Sequence, residues 1–389
     1  HGGGRVTGSE LNARMDAAAF AFRGYNVTNL GRTPELLEHP AYGPIVEKHL
    51  KEASEIYTAA TLQRVDLVKR VRLREETTLE TYSEAISLIT AAESAQLELL
   101  KEFFGIEFTH ASRALGYSLG EIGALLAAEV YEPEALLTPI LKLADDCVEL
   151  AQNVRMGIVF SRGPELDIPA IEKLCVETTA RNQGTVCISS YVAPNTVLIL
   201  GQGGSIDLFR ETMKERFNRQ VHLKKNPHQW PPIHTAIVRQ RNVPDRASVM
   251  LETVPGGMQA PTIPIISCIS GTESYNDYNS RQTLYDWVDH PQKLWSVIER
   301  VLATDIHTLI HVGPEPNIIP ATLSRLSMNI ESQLNARSIS GFGLRAVSSI
   351  VHGRPWLAKY LSKNASLLRA PLLENVILED WLLDNAPAA

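Results

Sequence analysis

Five residues, Gly116–Tyr117–Ser118–Leu119–Gly120, constrain the fold of this 389-residue chain more than any other segment. A short apolar stretch, Ala114–Leu115, leads into them, and a run rich in helix formers, Leu119–Ala128, follows. G-x-S-x-G in that setting predicts a short element, a sharp turn at Ser118 and a helix. The flanking glycines permit the tight turn, which forces the serine into a strained, exposed position. N–H groups at the start of the helix then point to where a developing oxyanion would sit. A helix start built from small residues and capped by Ser118 fits the same five residues, so the surrounding sequence has to decide.

That sequence divides into distinct rhythms. Residues from Leu36 to Leu100 carry apolar positions at helical spacing, among them Leu79, Tyr82, Ile86 and Ile89. From Val154 to Asn226 the order reads strand (Met156–Phe160), helix (Ile168–Ala180), two strands (Thr185–Ser190 and Thr196–Leu200), helix (Ile206–Phe217) and strand (Gln220–Leu223). This β-α-β-β-α-β order is the ferredoxin-like pattern. A proline-rich corner at Pro227, Pro231 and Pro232 returns the chain to mixed α/β. There Thr262–Ile269 and His307–Val312 read as strands and Thr283–Leu302 as one helix. Trp356–Leu361 and Val376–Leu383 read as helices of a C-terminal extension. No internal repeat or low-complexity tract is evident.

Composition excludes several classes. With 44% hydrophobic and 21% charged residues the chain is neither disordered nor fibrous. Its 37 Lys+Arg against 44 Asp+Glu give a formal charge of −7, which speaks against nucleic acid as the main partner. No segment reaches the roughly 18 apolar residues of a membrane span. Cys147, Cys175, Cys187 and Cys268 form no C-x-x-C and lie near no suitably spaced histidine, so no metal site is expected and a reducing, cytoplasmic setting is. His1–Gly4 lacks the pattern of a secretion signal and reads as the remnant of an expression tag.

The block Gly116–Tyr117–Ser118–Leu119–Gly120–Glu121 resembles the G-H-S-L-G-E of malonyl-CoA:acyl-carrier-protein transacylases and polyketide synthase acyltransferase domains. Pro232–Ile233–His234 is similar to that family's P-x-H. His311–Val312–Gly313–Pro314 is similar to its E-V-G-P turn, and Pro264–Ile265–Ile266–Ser267–Cys268 to its P-V-V-N-N strand. The four landmarks stand in family order over residues 18–330. The resemblance implies an α/β-hydrolase-like core, 18–153 with 227–330, and an inserted ferredoxin-like (α+β) subdomain, 154–226. A helical extension, 331–389, lies outside it.

The resemblance also implies Ser118 as nucleophile and His234 as its base, oriented by a main-chain carbonyl at Ser267 or Cys268. The N–H groups of Leu119 and Tyr25 would form an oxyanion hole. Phe22–Arg23–Gly24–Tyr25–Asn26–Val27 stands where the family has F-P-G-Q-G-S, and Tyr117 replaces the histidine beside the nucleophile. Malonyl-using members carry an arginine about 25 residues beyond the serine. Here that window holds Lys142 and Leu143; lysine cannot form a bidentate fork, and leucine favours an uncharged acyl tail. Tyr117, Lys142, Leu143 and Ile233 are therefore the expected substrate contacts. Arg216, Arg219, Lys224 and Lys225 belong to a basic run suited to an acidic acyl carrier protein.

The expected activity is acyl transfer from a CoA or carrier-protein thioester through an acyl-serine to an acyl carrier protein, in fatty-acid or polyketide synthesis, with no bound cofactor and without strict malonyl specificity. Hydrolytic removal of acyl groups on the same fold, and a non-catalytic docking role, are the alternatives.

Overall fold

A computed structural model describes residues 6–217, 219–341 and 355–388 of the chain; His1–Gly4 lies outside them. Among the described residues nine strands are β1 Ala18–Phe22, β2 Arg113–Gly116, β3 Val154–Ser161, β4 Val186–Ala193, β5 Thr196–Gln202, β6 Val221–Gln229, β7 Ile265–Ile266, β8 Thr308–Val312 and β9 Glu374–Ile377. They form a five-stranded sheet of order β7-β2-β1-β8-β9, parallel throughout, and a four-stranded antiparallel sheet of order β4-β5-β3-β6.

The central strand explains why the first sheet is parallel and covered on both sides. All five residues of β1, Ala-Ala-Phe-Ala-Phe, are buried. Phe20 and Phe22 pack into a core with the helices Gly43–Thr61, Tyr82–Phe104 and Pro133–Ala151, while Ala19 and Ala21 face a second core containing the helix Leu294–Ala303. A strand apolar on both faces has no solvent side, as helix-covered parallel sheets require. The helix Tyr82–Phe104 shows the same logic in its buried Ile86, Leu88, Ile89 and Leu99, and it stops where Gly105 takes φ +65°.

The antiparallel sheet has the ferredoxin-like order, with the helices Ile168–Ala180 and Ser205–Arg216 on one face. Val159, Ile171, Val197, Ile199 and Phe209 form its own core. Its other face carries Met156, Leu198 and Leu200, which turn toward the parallel sheet's C-terminal edge.

Several expected elements differ. The strand expected over Thr262–Ile269 is only Ile265–Ile266, and the last subdomain strand runs through Pro227 to Gln229, past the expected boundary at 226/227; as the edge strand of its sheet it can hold a proline. The single helix Thr283–Leu302 is instead Ser280–Asp289 and Leu294–Ala303, broken at His290–Pro291. Proline disfavours helical backbone in the residue before it, and His290 is extended at φ −101°, ψ 143°. The C-terminal extension is not purely helical: Glu374–Ile377 joins the parallel sheet beside β8 before the helix Leu378–Asp384 begins. Val376 to Leu383 carries helical spacing, but its first two residues pair with Ile310 and His311. The part of the extension from 342 to 354 lies outside the described residues. Among the described residues no helix is long and apolar enough to cross a membrane.

Candidate active site

β2 ends at Gly116, and the chain turns through Ser118, at φ 57° and ψ −118°, into the helix Leu119–Ala127. The turn needs both glycines for lack of space. A Cβ on Gly116 would lie 2.1 Å from the carbonyl carbon of Gly120, and one on Gly120 would lie 2.1 Å from the carbonyl oxygen of Phe22. The left-handed φ at Ser118 is a conformation that costs a residue with a side chain on the order of 1–3 kcal/mol. It is held by Gln292, whose side-chain oxygen accepts the Ser118 N–H at 2.7 Å, and by Trp287, whose indole Nε1 donates to the Ser118 carbonyl at 2.9 Å.

His234 also has a left-handed backbone, φ 67°, and its N–H donates to the Val288 carbonyl at 2.7 Å. Its Nε2 lies 2.6 Å from Ser118 Oγ, although 116 residues separate the two. Its Nδ1 lies 2.6 Å from the Trp287 carbonyl. A carbonyl can only accept, so Nδ1 carries the proton and Nε2 presents its lone pair to the serine hydroxyl. The Gln292 amide nitrogen stands 3.3 Å from Nδ1. Since Nδ1 already bears a hydrogen, this contact is a positional one, not a hydrogen bond. Burial pushes the imidazole pKa down to about 4, against a smaller upward effect of the Trp287 carbonyl. The ring is therefore neutral at neutral pH and free to take a proton.

The carbonyl that orients His234 belongs to Trp287, not to Ser267 or Cys268. Those two residues serve the elbow from the other side. Ser267 Oγ and the Cys268 N–H each donate to the fully buried Glu121 carboxylate at 2.7 Å, and Tyr275 Oη donates at 2.5 Å. Glu121 thus fastens the helix after Ser118 to the end of β7. Burial raises its pKa, opposed by those same hydrogen bonds.

Gly24 packs against the turn so closely that a Cβ there would lie 2.7 Å from the Tyr117 carbonyl. Next to it, Tyr25 stacks edge-on against Tyr82 and Trp230 at ring separations of 4.9 and 5.4 Å. The N–H groups of Tyr25 and Leu119 have no acceptor among the described residues. Arg23, fully buried, clamps this loop. It donates to the carbonyls of Gly24 and Pro314, both at 2.7 Å, and to the Asn29 side chain. Burial lowers its pKa to about 10, with Glu93 the largest opposing charge.

Ser118 and His234 open into a cavity of about 340 Å³ between the two sheets. Tyr25, Tyr117 and Ile233 line it, with Met156, Leu198, Leu200, Asn226 and Trp230 from the subdomain side; among the described residues no Asp, Glu, Lys or Arg side chain does. Leu143 is not in this cavity but in a second, apolar one behind Tyr82 and Ile233. Lys142 is exposed in a separate surface depression beside Glu132 and Glu134, so it does not join the site.

The basic run is also split by the fold. Lys225 pairs with Asp207 at 3.0 Å and Arg216 with Glu177, both toward the subdomain's helices. Arg219 is exposed. Lys224, opposite Ile158, lies on the cavity face of the sheet two residues from Asn226, and has no acidic partner among the described residues.

Sequence reading missed Trp287 and Gln292, which do most to hold the serine and histidine together. Pro291 was the available signal, because a proline mid-pattern marks the break at which both residues sit.

No protein-family model matches the chain, and no curated protein does. Solved structures do match. An acyl carrier protein S-malonyltransferase from Vibrio cholerae aligns over 93% of this chain and 96% of its own, at 20% identity and TM-score 0.62. A malonyl-transacylase of a type II polyketide synthase, solved in complex with its acyl-carrier protein, aligns over 79% and 92%, at 21% identity and TM-score 0.62. FabD from Acinetobacter baumannii aligns over 77% and 88%, at 20% identity and TM-score 0.61. The chain therefore has the α/β fold of the malonyl-CoA:acyl-carrier-protein transacylases, with their ferredoxin-like subdomain in place.

Proposed function

We propose that the protein is an acyltransferase that moves an acyl group from a CoA or carrier-protein thioester, through an ester on Ser118, to the phosphopantetheine thiol of an acyl carrier protein. The observation that carries this reading is the 2.6 Å contact between Ser118 Oγ and a neutral, Trp287-anchored His234 at the floor of an open cavity.

In the first half-reaction Nε2 takes the hydroxyl proton as Oγ bonds to the thioester carbon. The oxyanion is held by the N–H groups of Leu119 and Tyr25. The C–S bond then breaks, and the thiol leaves with the proton from the imidazolium. In the second, the acceptor thiol gives its proton to Nε2, sulfur bonds to the acyl carbon, and the Oγ–C bond breaks with the proton returning to Oγ. A cavity without charge suits the pantetheine arm, a chain of amides and methylenes. Lys224, on the cavity face of the sheet two residues from Asn226, is a cation suited to meeting an acidic carrier; Arg216 and Lys225, paired with Glu177 and Asp207, and the exposed Arg219 would assist it. The structural neighbours' association with malonyl transfer and, in one case, with a carrier protein supports the class of reaction. Strict malonyl specificity is not part of the proposal, because no Lys or Arg lines the cavity among the described residues.

The test is intact mass of the protein after incubation with acyl-CoA thioesters, followed by addition of a phosphopantetheinylated acyl carrier protein. Loading on Ser118 and passage to the carrier are expected. An adduct that survives in Ser118→Ala would dispose of the assignment, and release of free acid without carrier loading would turn it toward hydrolysis.

A further inference from the structure

Behind the cavity that holds Ser118 lies a second, smaller chamber of about 60 Å³. Sixteen residues line it and none is charged. Tyr82 and Ile233 line both spaces and form the partition between them. Trp287 lines the chamber as well, and its ring stands edge-on to the His234 ring at 5.0 Å. The walls are aliphatic: Leu143 and Ala144 from the helix Pro133–Ala151, Ala247 and Leu251 from the helix Val243–Glu252.

An apolar void forfeits the dispersion contacts of its lining and destabilises the fold. Fourteen of its sixteen lining residues are buried, all but Ile140 and Ile233, so a void placed one side chain away from a nucleophile is a candidate for a ligand group. Its chemistry is set by what it lacks. A carboxylate entering it would lose its water and meet no guanidinium, ammonium or hydrogen-bond donor cluster, a transfer that is strongly unfavourable. Methylenes would exchange water for contact with Leu143, Ala144 and Ala247, which is favourable. Its size sets a length. A single water takes about 10–15 Å³ on this scale, so the chamber receives a short alkyl segment and not a long chain.

We propose that this chamber is the subsite for the uncharged aliphatic end of the acyl group carried on Ser118, so that the preferred donor is a short saturated acyl thioester of the butyryl type and not a malonyl one. The inference rests on the acyl-serine reading given above. The carbonyl carbon stays beside Ser118 Oγ, and the alkyl end passes between Tyr82 and Ile233 into the chamber.

The experiment is the rate of Ser118 loading, by intact mass, for acetyl-, butyryl-, hexanoyl- and malonyl-CoA. It is run on the full chain and on two variants that fill the chamber, Ala144→Leu and Ala247→Leu. Butyryl-CoA is expected to load at least about tenfold faster than malonyl-CoA, in line with what a methylene in a fitted apolar pocket contributes. In the variants the butyryl-to-acetyl ratio is expected to fall by about tenfold or more. Malonyl loading as fast as butyryl, or an unchanged ratio in a variant that folds, would overturn the chamber assignment while leaving Ser118 chemistry intact. No adduct at Ser118 from any of the four donors would instead remove the acyl-serine reading itself. The chain-length series on the unaltered protein decides the question even if both variants misfold.

Discussion

The side-chain oxygen of Gln292 accepts the backbone N–H of Ser118 at 2.7 Å, while the main chain of Gln292 is joined to β4: its N–H donates to Ser189 and its carbonyl accepts from Tyr191, both at 2.9 Å. One residue therefore ties the reactive turn to the edge of the antiparallel sheet. Replacing it by methionine keeps the length of the side chain and removes the acceptor. An unpaired buried N–H costs about 1–3 kcal/mol, so Gln292→Met is expected to slow Ser118 loading by roughly tenfold to a hundredfold. Gln292→Glu keeps an acceptor and places a carboxylate near His234 Nδ1, which raises the imidazole pKa. Its loading rate should fall less, with the acid limb of the pH profile moved upward. Unchanged rates in both variants would show that the contact is incidental.

The pH dependence of loading follows from the burial of His234. Only the neutral ring can accept the serine proton, and the ring's pKa is pushed down to about 4. Loading should rise through about pH 4 and stay level to neutrality, with no inflection near the ordinary histidine value of 6.5. The stability linkage has a matching sign. Between 6.5 and about 4 the unfolded chain binds the proton first, so the contribution of neutral His234 is whole above 6.5 and lost as pH falls toward 4. The carboxyls of Glu93 and Glu121, raised by burial, run the other way. The rate profile is therefore the cleaner measurement, and an acid limb centred at 6–7 would contradict the assigned environment.

Glu121 offers a test of how the turn is fastened. Its carboxylate accepts from Ser267, Cys268 and Tyr275 and donates to none. Both hydroxyls donate to Oε2 and the Cys268 N–H to Oε1, so in Glu121→Gln an amide nitrogen in the place of Oε2 meets two hydroxyls that already donate, and both must turn away. A loss of about 1–3 kcal/mol is expected, read as a lower denaturant midpoint at constant slope. A midpoint equal to that of the unaltered protein would mean that the network is slack.

The tail supplies the fourth test. Leu378, Trp381 and Leu382 are buried against the helices of the core, and burial of a large apolar side chain contributes about 1.5–3 kcal/mol. A chain ending at residue 363 loses these three residues and the strand beside β8. It should aggregate or unfold without a cooperative transition. A soluble product with an unaltered melting temperature would assign the tail a role outside the core.

Much of the architecture was legible because it rests on local patterns. The short apolar runs of β3 to β5 and the two helices beside them are visible residue by residue, whereas most of β6 is polar and was not, and the turn at Ser118 is announced by glycines that the packing at Phe22 and Gly120 requires. The approach of His234 to Ser118 was legible only through resemblance, since no periodicity links positions 116 residues apart. Trp287 and Gln292 were hidden because an apolar helical pattern runs on either side of the break that exposes them. Lys142 was misplaced for a simpler reason: one step along a helix turns a side chain by about 100°, which separates the exposed Lys142 from the buried Leu143. Glu374–Ile377 was hidden because four residues at the start of an amphipathic stretch are too few to show a period of two.

The order in which the parallel sheet's strands leave the ribosome is set by that last strand. The central position is made first, at Ala18–Phe22, and the outermost only when residues 374–377 have emerged. Until then β8 presents a bare row of amides and carbonyls, the template on which nascent chains stick to one another. Biosynthesis of this fold must therefore shield an unfinished flank while the more than sixty residues between β8 and Glu374–Ile377 are being added, which makes its yield in a cell sensitive to holding chaperones.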